Sequence, residues 1–115
     1  MSRSDDGIRL RHLLDSAREA MNLVQTRSRP DLDTDRLLNL ALVRLLEIIG
    51  EAATRVSREY RENHPEIQWG PIVGLRNRLI HGYDEVDFDI MWNVIKDDLP
   101  PLVKALENLL GKGSS

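Results

Sequence analysis

Residues 37–49 read LLNLALVRLLEII, and nine of these thirteen positions are Leu, Ile or Val. A helix facing one neighbour needs only about three or four apolar residues per two turns. This segment is apolar on more than one face, so it either runs through the middle of a bundle or offers a second face to another chain. In 115 residues the first alone is a poor fit, and a homodimer is the expectation. The pattern predicts one long helix over about 34–62, capped by Asp33 or Thr34. Gly50 lies in its middle, where it costs about 1 kcal/mol relative to Ala, so a close helix contact is expected there. Arg44, inside the apolar run with Glu47 one turn on, either reaches a cleft or pairs at a subunit interface.

On the N-terminal side, Leu10, Leu13, Leu14, Ala17, Met21 and Val24 recur every three or four residues, predicting a helix over about 8–26 that ends before Ser28-Arg29-Pro30-Asp31. On the C-terminal side, Trp69-Gly70-Pro71 leads into a helix over about 71–81, with Gly82 at its exit. Asp87 or Asp89 starts another, carrying Phe88 to Ile95, and Pro100-Pro101 breaks or kinks it before Leu102 to Leu110. No strand pattern competes. The fold class is all-α, an up-and-down bundle of four to five helices forming a single domain over 1–115, with 1–6 and 111–115 expected to be disordered.

Composition narrows the function. There is no Cys, which excludes disulfides, thiolate nucleophiles and Cys-based zinc sites. No apolar run approaches the roughly 20 residues that cross a bilayer, and the first residues lack the apolar core of a secretory signal, so the cytoplasm is the expected location. The net charge of −3 hides an asymmetry: all thirteen Arg lie in residues 1–81 against twelve acids, whereas 82–115 carries three Lys against seven acids. A polyanion site therefore belongs to the first part, where Arg suits bidentate phosphate contacts.

The densest polar cluster is Arg76-Asn77-Arg78-Leu79-Ile80-His81-Gly82-Tyr83. An imidazole at a helix C-terminus meets the negative end of the dipole and can do acid or base work near neutral pH. Arg76 and His81 are five residues apart, roughly 140° around an ideal helix, while Arg78 and His81 fall on about the same face. For Arg76 and His81 to share a site, the helix must loosen before His81 or a second subunit must complete the cleft. RNA suits such groups, because a base removes its 2′-OH proton, the oxygen attacks the adjacent phosphorus, and an acid protonates the leaving 5′-oxygen.

The stretch from Leu45 to Leu102 resembles the HepT-like toxins of the HEPN superfamily, which pair with an MntA-type nucleotidyltransferase antitoxin. Their Arg-x4-His-x-Tyr signature is matched by Arg76, His81 and Tyr83, with Asn77 where Asn is usual. Glu47-Ile48-Ile49-Gly50-Glu51-Ala52, His64-Pro65-Glu66-Ile67 before Trp69, and Val86-Asp87 before Trp92 match its context. The resemblance implies a metal-independent endoribonuclease toxin of a type VII toxin-antitoxin system, dimeric, with two motifs facing a shared cleft. It implies Arg76 and His81 as catalytic residues, Asn77 as positioning, and Tyr83 as the acceptor of AMP from the antitoxin. Arg78 is a weaker candidate for RNA contact. No cofactor, metal or membrane is expected, and the partners are RNA, the antitoxin and a second copy. The alternative is a non-catalytic helical module that binds a nucleotidyltransferase or nucleotide.

Other signals read as structure. Arg55, Arg58 and Arg61 recur every three residues and could guide RNA, but Glu51–Arg55 and Arg58–Glu62 spacing suits an ordinary solvated face. Asp84, Glu85, Asp87 and Asp89 lack the features of a calcium loop and suit a helix start. His12 and His64 have no ligand spacing. Trp69 and Trp92 lie among packing residues.

Overall fold

The computed structural model describes residues 3–81 and 85–114. Among them the helices are α1 (Arg3–Val24), α2 (Asp31–Thr34), α3 (Arg36–Arg55), α4 (Arg58–Asn63), α5 (Trp69–Val73), α6 (Leu75–Leu79), α7 (Phe88–Asn93) and α8 (Leu99–Ser114). The fold is all-α. The expected four to five helices are α1, α3, the α5–α6 pair, α7 and α8, with α2 and α4 as short additions. α1 packs along α3 and α8, and α3 also supports α5 and α6. Leu10, Leu13, Leu14 and Ala17 of α1, Leu42, Leu46 and Ile49 of α3, and Leu99 and Leu106 of α8 are all buried in this core. Each buried Leu or Ile contributes about 1.5–3 kcal/mol.

The boundaries differ from the sequence expectation at both ends of α3. Asp35, rather than Asp33 or Thr34, caps α3 by accepting from the Leu38 amide at 3.0 Å. That amide, with the Arg27 guanidinium, holds the Asp35 carboxyl below its usual range against a partial opposing effect of desolvation. Asn39, buried, donates from Nδ2 to the Leu32 carbonyl at 2.9 Å and ties α2 to α3. The long helix stops at Arg55 instead of continuing to Glu62. Ser57 starts α4 by accepting from the Tyr60 amide, and its own N–H and hydroxyl donate to the Asp6 carboxylate at 2.8 and 2.7 Å. Asp6 is 5% exposed. It fastens the start of α1 to the α3–α4 break. At the other end α8 continues to Ser114.

The expected 71–81 helix is divided at Gly74 into α5 and α6 and ends at Leu79. The chain then turns extended: β1 (Ile80–His81) pairs antiparallel with β2 (Glu85–Val86), Ile80 opposite Val86 and His81 opposite Glu85. This short ladder has no counterpart in the sequence reading. Asp87 caps α7 through the Ile90 amide, as expected. A wide π turn over Val94–Asp98 joins α7 to α8, and Pro100 and Pro101 sit in the first turn of α8, where a missing N–H is tolerated, so the helix is not broken at the prolines.

Candidate active site

α5 and α6 pack against α3 beside Gly50, where a Cβ would stand 3.4 Å from the Ile72 carbonyl and 3.7 Å from the Leu75 Cβ, so the helix contact expected at this glycine is present and has room for a methyl. Buried Leu75 and Leu79 anchor the inner side of α6. Arg76 and Asn77 are left exposed and line a groove whose other wall is α3, with Arg44, Glu47, Glu51 and Arg55 along it. Glu51 pairs with Arg55 at 3.2 Å and Glu47 approaches Arg44 at 3.9 Å.

Arg44 therefore belongs to the groove, and so does Arg55, which the sequence reading gave to the solvated surface. The break at Val56 and Ser57 separates Arg55 from Arg58 and Arg61, which lie on α4 and line no part of this groove among the described residues. A second groove, between α1 and α3, shares Arg44, Glu51 and Arg55 with the first and adds Arg9 and His12.

The helix does loosen before His81, as a shared site requires, and His81 is not at a helix end but in β1, so the dipole argument does not apply to it. Its side chain is 55% exposed, with Nε2 at 3.6 Å from Oδ2 of Asp87. Asp87 thus caps α7 with one carboxylate oxygen and faces the imidazole with the other, a contact that its place among four acids concealed. His81 is not among the residues lining the groove of Arg76 and Asn77. Arg78 turns away from both: it approaches Asp98 at 3.5 Å and borders an apolar pocket floored by Ile49, Leu75, Leu99 and Leu102. Gly82 and Tyr83, the expected turn and AMP acceptor, lie outside the described residues.

The remaining polar signals have structural tasks. Asp89 accepts from Arg29 at 2.7 Å. Those bonds with Asp89 and Asp33 raise the Arg29 guanidinium further above its usual range, against partial desolvation. His64 stacks on Tyr60 at 4.2 Å and meets Glu66 at 3.1 Å. The carbonyl of His64 accepts from the Trp69 indole at 3.0 Å. Trp92 is partly buried beneath Lys96.

On α3 the stripe that borders the groove continues toward the N-terminus as Ile48, Leu40 and Leu37, which on an ideal helix lie within about 100° of one another and of Arg44 and Arg55. Leu37 is 81% exposed and Leu40 48%. No described helix is long and apolar enough to cross a membrane.

Comparison with known proteins agrees with this frame. The family model described as ribonuclease HepT-like matches residues 13–109. A candidate RNase of Methanocaldococcus jannaschii is 34% identical over 93% of this chain and 98% of its own length. One of Caldanaerobacter subterraneus subsp. tengcongensis is 38% identical over 90% of this chain and 92% of its own. A Thermococcus cleftensis protein named as a candidate ribonuclease HepT is 35% identical over 84% and 91%. No solved structure matches significantly. The chain belongs to the HepT-like ribonuclease family.

Proposed function

We propose that the protein is a metal-independent endoribonuclease, the toxin of a type VII toxin-antitoxin pair, acting as a homodimer. Arg76 and Asn77 bind the scissile phosphate and His81 moves the proton. His81 takes the proton of the 2′-OH, the freed oxygen attacks phosphorus, the bond to the 5′-oxygen breaks, and the protonated imidazole gives its proton to that oxygen, which restores neutral His81. The products are a 2′,3′-cyclic phosphate and a 5′-OH. Arg76 stabilises the charge that builds on the phosphoryl oxygens, and a positioned imidazole supplies about 10²- to 10⁴-fold. Asp87 keeps the imidazole oriented.

The observation that carries this reading is the exposed Arg76–Asn77 pair in a groove with Arg44 and Arg55, on the α3 face that also leaves Leu37 and Leu40 bare. A second copy packed against those leucines covers the apolar end of the stripe and turns the charged end into a cleft between subunits, where each chain's motif meets its symmetry mate. That arrangement answers the separation of His81 from the groove within one chain. Transfer of AMP from an MntA-type partner to Tyr83 silences the site, since each AMP adds bulk and a negative phosphodiester two residues from the imidazole.

The test is incubation of the purified protein with total RNA in EDTA beside His81→Ala and Arg76→Ala variants of confirmed fold. Cleavage by the wild type alone is expected; equal cleavage by both variants removes the assignment. With the partner and ATP, the mass is expected to rise by about 329 Da per AMP, and Tyr83→Phe to stay unchanged.

A further inference from the structure

We propose that the groove between α1 and α3 is a second phosphate subsite, in which Arg9, His12, Arg44 and Arg55 hold the RNA strand beside the linkage that is cut. The assignment rests on the RNA-cleaving reading above for the nature of the ligand. Its geometry stands separately: Arg44, Glu51 and Arg55 border both this groove and that of Arg76 and Asn77, so the two form one channel crossing α3.

Charge makes the channel attractive to a polyanion. It presents four arginines against Glu47 and Glu51. Those two acids sit beside Arg44 and Arg55. Arg9, His12 and Arg76 have no ionic partner among the described residues. A phosphate oxygen pair meets a guanidinium in two parallel charge-assisted bonds, which Arg9 and Arg76, without an ionic partner among the described residues, can offer to the strand. The pocket on the other side of α6 has the opposite character, with Glu66, Asp97 and Asp98 at its rim around an apolar floor. A strand leaving Arg76 is therefore drawn toward α1 and away from α8.

The experiment uses the full chain and a fluorescent 2′-O-methyl oligoribonucleotide, which lacks the nucleophile and cannot be cut. Binding is followed by anisotropy over a range of NaCl. Arg9→Gln is expected to lower the slope of log Kd against log salt by about 0.7, and Arg9→Gln with Arg55→Gln by about twice that, the amount for one and two lost contacts to a single strand. Arg11→Gln is the control: Arg11 lies on α1 but lines neither groove, and the same change of net charge there is expected to leave the slope unaltered. Equal slopes for Arg9→Gln, Arg11→Gln and wild type overturn the subsite. The two readings fail separately. A protein that loses slope as predicted yet cuts no RNA keeps the subsite and overturns catalysis; one that cuts RNA while Arg9→Gln binds as wild type overturns the subsite alone.

Discussion

Asp6→Ala probes the fastening of α1 to the α3–α4 break. The Asp6 carboxylate accepts from the N–H and the hydroxyl of Ser57 at 2.8 and 2.7 Å, and Asp6 is buried. A hydrogen bond to a charged group contributes about 1.5 kcal/mol at the low end of its range, so losing both costs about 3 kcal/mol. In a chain of this size that lowers Tm by roughly 12 °C. Asp6→Asn keeps the shape and one acceptor oxygen and is expected to cost about half as much. Because Ser57 also caps α4, Ser57→Ala alone would mix two effects. A double-mutant cycle of Asp6→Ala and Ser57→Ala cancels the cap and isolates the pair, with an expected coupling of about 1.5 kcal/mol by urea denaturation. A cost for Asp6→Ala below about 0.5 kcal/mol, as for an ordinary surface site, or a coupling near zero, refutes the reasoning.

Three further outcomes are expected. Gly50→Ala gains up to about 1 kcal/mol of helix propensity, its methyl fitting beside the Ile72 carbonyl and Leu75, and keeps cleavage; Gly50→Leu overpacks by about 1–3 kcal/mol and slows cleavage by displacing α6, as thermal melts and initial rates will show. Asn39→Leu leaves the Leu32 carbonyl without its donor and costs about 1–3 kcal/mol in urea. Leu37→Glu with Leu40→Glu yields a folded monomer by sedimentation, with stability at infinite dilution changed by no more than about 0.5 kcal/mol; a dimer that persists relocates the interface.

The long helices and their inward faces were legible because a period of 3.6 extends over many residues in α1 and α3. The end of α3 was not, because apolar residues continue in phase through Val56 and Tyr60, and the break depends on Asp6, 51 residues before Ser57 in the chain. The β1–β2 ladder is two residues long in each strand, too short for an alternating pattern to register. At the site, Arg76, Asn77 and His81 stood out through their spacing and the family resemblance. Arg55 did not, since Glu51 four residues before it gives the signature of a solvated helix, a pairing that does form. Its place in the groove comes from the packing of α6 against α3, and although Gly50 marked a helix contact, nothing in the sequence said which helix would bring Arg76 opposite Arg55. Arg78 was paired with His81 on helical geometry, and that pairing dissolves where the chain becomes extended after Leu79.

The central claim is that the protein cuts RNA by attack of the neighbouring 2′-oxygen, assisted by Arg76 and His81. The most direct measurement is cleavage, in EDTA, of an oligoribonucleotide with a single 2′-deoxy residue at the linkage otherwise cut, with the product ends identified by mass spectrometry. The account predicts that this linkage alone becomes resistant, that the unmodified RNA yields a 2′,3′-cyclic phosphate, and that Arg76→Ala and His81→Ala leave both RNAs intact. Cleavage at the deoxy-substituted linkage at the normal rate, or wild-type cleavage by either variant, would contradict it.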